Sequence, residues 1–490
     1  MTALPLQDSF GQQAVPLTRL GGPITVDGIV DEPAWDSIEP FDLVMYQPTF
    51  EGGMSEQTEI RVGYDEDYVY VSGRLYDSEP DGVRSYSLYR DRYSGDDTFA
   101  IILDTFNDNE NALWFYTTPA GVRFDMAVSN DANFVGGSRP MNSSWNTFWD
   151  ASTSVDDGGW SAEMRIPFSS LGFQDVGGEI TMGLIVYRFI ARKNERHIFP
   201  AIPPNWGLGY AKPSVAQDVI LTDVVAQRPV YITPYVAGGA DRRAELTDDE
   251  SAYRNTNTLE REVGLDVKYN INSTLTLDVT VNTDFAQVEA DDQQVNLTRF
   301  SLFFPEKRQF FQERAGIFDF SLGGSNRLFH SRRIGVADGE LVRILGGARM
   351  VGRIGRWDVG LIDMQTARSS DLELASENFG ILRARRQVLN ENSYVGGMVT
   401  SRIGDDGSYN LGFGADGLFK IAGDDYLTLQ LVQTRDTEYA DGASFDFLEA
   451  SQMRFVWQRR TEDGLFYNFS AKRVGRIFDP AIGFNTRQGI

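Results

Sequence analysis

Leu275-Thr-Leu-Asp-Val-Thr-Val281 alternates strictly between apolar and polar side chains. A period of two puts Leu275, Leu277, Val279 and Val281 on one face of a strand and Thr276, Asp278 and Thr280 on the other. The rhythm recurs on both sides of this stretch. Upstream, Val263, Leu265, Val267 and Tyr269 share a parity. Downstream, Leu427, Leu429 and Leu431 alternate with Thr428 and Gln430, while Phe445, Phe447, Met453, Phe455 and Trp457 oppose Gln452, Arg454 and Gln458. Each such strand has one apolar and one polar face.

Two architectures share that pattern, a large soluble β domain and a membrane barrel. Three features favour the barrel. The strands run to about 9–12 residues, enough for a tilted membrane span. Their polar faces carry arginine, aspartate and glutamine, as a wet lumen would. Aromatic residues recur near strand ends, as in interfacial girdles. About eleven candidate strands follow residue 230, an odd number where bacterial barrels are usually even. One stretch breaks the rhythm. Residues 284–330 are too long for a hairpin loop, and long structured insertions are often functional. They carry Phe300, Phe303, Phe304, Phe310, Phe311, Phe318 and Phe320 beside Glu306, Lys307, Arg308, Glu313 and Arg314. So many rings need a wall and those charges need partners, which a barrel interior supplies. The segment is expected to plug or cross the barrel; a loop folded back over the rim is the alternative.

Before residue 230 the grain is finer. Ile24-Thr-Val-Asp-Gly28 reads as a short strand and turn, and Asp31-Glu-Pro-Ala-Trp35 as a short helix opening on proline. Strands are expected at 58–64, 68–76, 98–104, 112–118, 121–129, 147–155, 160–166 and 180–191, with a helical turn after Ile166. Short strands at this spacing predict a sandwich. Residues 192–229, rich in proline, read as a connection between domains. The expected division is a lead-in at 1–21, a sandwich at 22–225, and a barrel at 226–490 that carries the insertion.

Composition narrows the chemistry. Net charge is −25, unevenly spread: residues 1–230 hold 15 basic and 33 acidic side chains, and 231–490 hold 30 and 37. An acidic N-terminal half repels phosphates, which argues against nucleic acid. With no cysteine and two histidines, thiolate and His-rich metal sites lack ligands. No apolar run reaches the length of a transmembrane helix. The first ten residues lack the features of a signal peptide.

Two sets of residues carry a resemblance. Ile24–Trp35 with Val62-Gly-Tyr-Asp-Glu-Asp-Tyr-Val-Tyr-Val71 resembles the opening of family 9 carbohydrate-binding modules, and Asp97-Thr-Phe-Ala-Ile-Ile-Leu-Asp-Thr105 and Trp160-Ser-Ala-Glu-Met-Arg-Ile-Pro-Phe168 resemble later strands of that module. Asn282–Gln312, Leu328-Phe-His-Ser-Arg-Arg-Ile-Gly335 and Phe478-Asp-Pro-Ala-Ile-Gly-Phe484 resemble a bacterial outer-membrane family that joins such a module to a C-terminal barrel domain of unknown function. The resemblance implies an all-β chain located in the outer membrane of a Gram-negative bacterium. Its implied partners are a glycan and outer-membrane lipid, and it implies glycan binding or uptake without a cofactor. Against that family the sequence lacks a leader and a terminal aromatic residue, so the barrel is expected to be truncated.

Sugar recognition needs flat aromatic rings with amides, carboxylates or arginines beside them. The candidates are Trp145, Tyr93, Trp114, Arg92 and Asn142, with Trp145 best placed for exposure in a Ser/Asn-rich loop. Trp35 and Trp149 read as core. Asp65, Glu66 and Asp67 read as a solvated turn, His197 as a loop residue, and His330 as part of the insertion's packing. Phe304, Arg308, Phe311, Arg343, Arg349 and Arg353 are the candidates for plug and lumen. Arg343, Arg349, Arg353, Arg383 and Arg385, if they line a lumen, either attract anions or pair with lumenal aspartates. The alternative function is a glycan-acting O-glycosyl hydrolase that uses the module for targeting. It needs a carboxylate pair about 5–10 Å apart, and no local signature singles one out, so neither catalytic nor metal residues are assigned.

Overall fold

A computed structural model describes residues 13–134, 139–224, 227–247, 251–282, 302–337, 340–370, 372–437 and 446–485. The chain is all-β in two units. In the first, a five-stranded sheet runs in the order Asp150–Asp156, Gly159–Pro167, Tyr68–Tyr76, Thr58–Tyr64 and Thr18–Arg19. It faces a ten-stranded sheet built around Glu179–Ile190, Thr98–Asp104, Ala112–Thr117 and Arg123–Val128. Ile60, Val62, Val69, Val71 and Leu75 from one sheet meet Phe99, Ile101, Leu103, Phe115 and Leu184 from the other. Each such side chain contributes roughly 1.5–3 kcal/mol when fully buried.

The first motif is locked to a later one through a buried carboxylate. Glu163 accepts the indole N–H of Trp35 at 3.1 Å and the amides of Asp27 and Gly28 at 3.2 and 3.1 Å. Gly28 is required there: its φ is +91°, and a Cβ would lie 2.6 Å from the backbone of Thr153. The expected strand at 24–28 is irregular backbone, and the expected helix is a 3-10 turn, Trp35–Ser37. The connection expected at 192–229 contains two sandwich strands, Glu195–Phe199 and Gln217–Thr222. Prolines flank these strands without occupying them. His197, expected in a loop, is fully buried in the first of them, bonded to Thr58 Oγ1 at 2.8 Å and Glu195 at 2.6 Å. Asp65 accepts the amides of Asp67 and Tyr68, as a hairpin turn requires.

The second unit is one antiparallel meander of eleven strands, from Val230–Leu246 to Asn468–Val474, each paired with the next. Among the described residues its two edge strands are not paired with each other, so the sheet is open; the sequence reading expects a barrel, truncated, and a closed barrel is not seen. The odd strand count accounts for this, because the first and last strands of the meander point the same way and cannot close an all-antiparallel ring. Residues 302–330, the described part of the insertion, and the adjoining 331–337 lie against one face; 283–301 fall outside the described residues. Glu313 reaches Lys268 on the second strand at 2.8 Å, and the Leu322 carbonyl accepts Gln452 on the tenth at 3.0 Å. Between these ends Phe318 packs at Gly360 and Phe320 and Leu328 pack at Gly414, so the segment touches strands from the second to the tenth and the sheet curls around it.

Burial in this unit is inverted. On the concave face Arg349, Arg383, Arg385, Asp358 and Gln452 are buried, whereas Leu361, Leu382, Phe413, Phe455 and Trp457 on the convex face are 40–52% exposed. Glycines on the concave face make room for the segment's rings. A Cβ on Gly360 would lie 2.6 Å from Phe318, and one on Gly414 would lie 2.8 Å from Phe320 and Leu328.

Candidate functional site

The outer face of the ten-stranded sheet carries an aromatic cluster built by strand register. Phe189 lies directly opposite Arg196, so both side chains emerge on one face, and Tyr187, two residues away, joins them. The turn Gly209–Ala211 folds Tyr210 over the same spot. The Arg196 guanidinium stacks 3.5 Å from the Tyr210 ring centre, 4.7 Å from Tyr187 and 5.1 Å from Phe189. Trp114 and Tyr46 support the rings from below, meeting Tyr210 edge-on at 5.9 and 5.8 Å. Tyr93, half exposed, overhangs from the loop before Thr98. Asp96 shapes that loop by accepting the amides of Tyr86, Ser87 and Ser94. Partial burial raises the Tyr93 hydroxyl pKa, Asp96 adds to the rise, and Arg196 opposes it.

Arg196 is 8% exposed, yet its Nε and Nη1 have no hydrogen-bond partner among the described residues. Stacking satisfies the face of a guanidinium but not the donors at its edge. Tyr93 is half exposed and Tyr210 partly so, while Tyr187 and the two spare donors are buried beneath them; rings beside donors are the chemistry that a pyranose's C–H faces and hydroxyl rim call for.

The sequence candidates separate. Tyr93 belongs to this patch and Trp114 lies beneath it. Trp145, expected to be exposed, is 3% exposed and packs edge-on against Phe115 inside the sandwich. Its loop is polar, but the indole turns inward to fill the space beside Trp149. Arg92 lies over the exposed ring of Tyr89 at 5.8 Å. Asn142 donates to Gln312 of the insertion at 2.5 Å, which places it at the junction of the two units. Arg196, Tyr187 and Tyr210 were not singled out by sequence. A carboxylate pair does lie near the aromatic loop, but Arg90 bridges Asp91 and Asp125, and Asp125 also accepts the amide of Thr147 at 2.7 Å.

In the second unit, Arg308 grips Glu306 at 2.6 Å and the Ser331 and Ile334 carbonyls at 2.7 and 2.9 Å, and stacks on Phe311. Phe304 is half-buried under Arg332. His330 packs on Phe303 and Phe484. Arg349 pairs with Asp278 at 3.1 Å and Arg353 with Asp108 of the sandwich at 3.0 Å. Arg343 departs from expectation. It is exposed at the approach to its strand and donates to Asn282 at 2.6 Å, rather than lining the interior.

The fold is that of an all-β protein, a β-sandwich module joined to a curved antiparallel sheet. Residues 26–223 match the family described as carbohydrate family 9 binding domain-like, and residues 230–344 match a domain of unknown function, DUF5916. The chain therefore carries a family 9-like module followed by a DUF5916 domain. Similar solved structures include a family 9 carbohydrate-binding module from Caldicellulosiruptor kristjanssonii in complex with glucose: 15% identity, 44% of this chain, 99% of that chain, TM-score 0.30. The same organism's family 9 module in complex with cellotriose matches at 16% identity, over 44% of this chain and 100% of that chain, with a TM-score of 0.29. No curated protein matches the chain.

Proposed function

We propose that this chain is a glycan-binding protein of the Gram-negative outer membrane, with the module binding sugar at the Arg196–Tyr210–Tyr93 patch. The observation that carries the sugar reading is the unmet pair of Arg196 donors inside a ring of tyrosines. The test is calorimetric titration of the whole chain with glucose and cellotriose, the sugars named for the similar modules. Binding that falls at least tenfold in Tyr93→Ala and in Arg196→Met, with unchanged circular dichroism, supports the site. Equal binding by both variants rejects it.

The membrane reading rests on the inverted sheet. Along Glu377–Gln387 the convex face reads Asn378, Gly380, Leu382, Ala384, Arg386, an uncharged band closed by polar ends. Its neighbours add Val399, Phe413, Leu429 and Phe455, while Trp357, Trp457, Tyr467 and Phe469 gather near one rim. An apolar belt with an aromatic margin suits lipid. Orientation follows from the connections. The module docks on the rim formed by the turns 273–274, 355–356, 388–393, 423–424 and 460–467, whereas the longest connections, 282–343 and 437–450, leave the opposite rim. Outer-membrane barrels keep short turns on the periplasmic side, so this reading puts the module in the periplasm, positioned to receive or hold glycan there. Flotation of the purified chain with outer-membrane lipid vesicles is the expected result. Recovery entirely in the aqueous fraction rejects the membrane reading and leaves the sugar site untouched.

A further inference from the structure

The two units meet through charges that neither could bury alone. The sandwich loop after Thr98–Asp104 turns through Asn107 and Asn109, both at positive φ, and projects Asp108 and Glu110 onto the rim of the curved sheet. Asp108 accepts Arg353 at 3.0 Å, and Glu110 accepts Arg385 at 2.9 Å. Asp358 of the sheet sits between them, 3.3 Å from Arg385 and 3.6 Å from both Arg353 and Arg314. Asn109 donates to Glu391 at 2.9 Å. Arg353 and Arg385 are 6% and 3% exposed. Even docked, the arginines keep spare donors: Arg385 Nε and Arg314 Nη1 have no hydrogen-bond partner among the described residues.

The linked cluster holds three cations, Arg314, Arg353 and Arg385, and three carboxylates, Asp108, Glu110 and Asp358. Two of the three carboxylates belong to the module. Lifting the module leaves one against three, with two guanidiniums short of a counter-ion in a partly dry site, which is strongly unfavourable.

We propose that Arg353, Arg385 and Arg314 form an anion-binding site at the rim, filled in this structure by the module's own Asp108 and Glu110, and that a carboxylate-bearing oligoanion competes with the module for it. The module is then a tethered stopper. Whatever displaces it must bring at least two anionic groups, because a neutral ligand leaves the arginines uncompensated. Carboxylate is the matching chemistry, since arginine forks bind it in the geometry already present. This proposal does not depend on the sugar site or on the membrane reading.

The chain has no cysteine, so Asn109→Cys gives a single thiol at the interface whose labelling rate reports undocking. Trigalacturonate is the probe, and cellotriose the neutral control. Labelling is expected to rise severalfold with trigalacturonate or with high salt, and not with cellotriose. In Asp108→Asn/Glu110→Gln, trigalacturonate is expected to bind at least tenfold more tightly than to the unaltered chain. Adding Arg353→Gln and Arg385→Gln should abolish that gain. If the double variant does not fold, Glu110→Gln alone carries the same test with a smaller gain. A folded variant that gains no affinity for trigalacturonate overturns the proposal, as does labelling that responds equally to both sugars.

Discussion

Arg383 tests whether the concave interior is a packed, charged core or a water-filled space. Its guanidinium and the carboxylate of Asp416 form two parallel bonds of 2.7 Å, and their side chains are 0% and 3% exposed. Arg383 also lies over Phe320 at 5.1 Å and donates to the Ile317 carbonyl at 3.3 Å, so it ties the inserted segment to the wall. Arg383→Leu removes one partner and leaves Asp416 buried and alone. Breaking a pair of this kind costs about 3–5 kcal/mol, whereas replacing both partners by apolar groups is often neutral or stabilising. Urea unfolding of the whole chain, followed by tryptophan fluorescence, is therefore expected to show a large loss for Arg383→Leu. Arg383→Leu/Asp416→Leu should recover to within about 1 kcal/mol of the unaltered chain. A single-variant loss under about 1 kcal/mol would mean that water already solvates the pair. The interior would then be wet, and the packing argument for the segment would fail.

Glu163 gives a pH test of the module. Burial lifts its pKa from 4.5 to about 7, against the opposing hydrogen bonds from Trp35, Gly28 and Asp27. The folded state thus holds the proton more tightly than the unfolded chain, and its stabilising contribution is complete below pH 4.5 and lost as pH rises through 7. The loss is about 3 kcal/mol. Thermal melts between pH 4.5 and 8 should show it as a difference between the unaltered chain and Glu163→Gln, which cancels the opposite trend from His197, whose pKa burial lowers; a flat difference rejects the assignment. Trp145→Ala should lower stability by about 3–5 kcal/mol through a core cavity, as measured by unfolding, while sugar affinity of the folded fraction stays unchanged. Gly414→Val would drive a branched side chain into Phe320 and Leu328, so hydrogen exchange across 302–337 should rise at least tenfold, and unchanged protection would mean that the rings sit elsewhere.

Much of the sandwich was legible because its strands alternate cleanly. The strand missed at Glu195–Phe199 shows where alternation stops helping. Its residues facing the sandwich interior are Glu195, His197 and Phe199, beside buried Arg188, so most of the buried parity is polar and reads as a loop. The second sheet presented the converse problem. The barrel reading put the polar faces inside, where Arg349, Arg383 and Arg385 lie, but alternation did not show that this face is filled. The filling was signalled by Gly360 and Gly414, whose missing side chains match the phenylalanines at 318 and 320. The proposed sugar patch was the least legible element. Tyr93, Tyr187, Arg196 and Tyr210 come from four separate elements, and only register and the 209–211 turn bring them together. Trp145 misled because its neighbours Ser144 and Asn146 predict exposure, while nothing local records that Phe115 waits across the sheet.

The filled interior constrains what uptake could mean. Phe318, Phe320, Leu322 and Leu328 form one buried cluster with Val351, Ile362, Phe379 and Met398 of the wall. A solute crossing along the concave face would have to displace that cluster. It would also break the Lys268–Glu313 pair and the Gln452–Leu322 bond at opposite sides of the curve. Those contacts lie on different strands, so no single wall movement releases them, and the segment would have to leave as a unit. Meanwhile Arg353 and Arg385 hold the module against the rim from which the short turns project. Any path through the molecule therefore has two closures, one hydrophobic and one ionic. A neutral sugar at the proposed Tyr210 patch would touch neither closure, so binding there would not by itself imply transport.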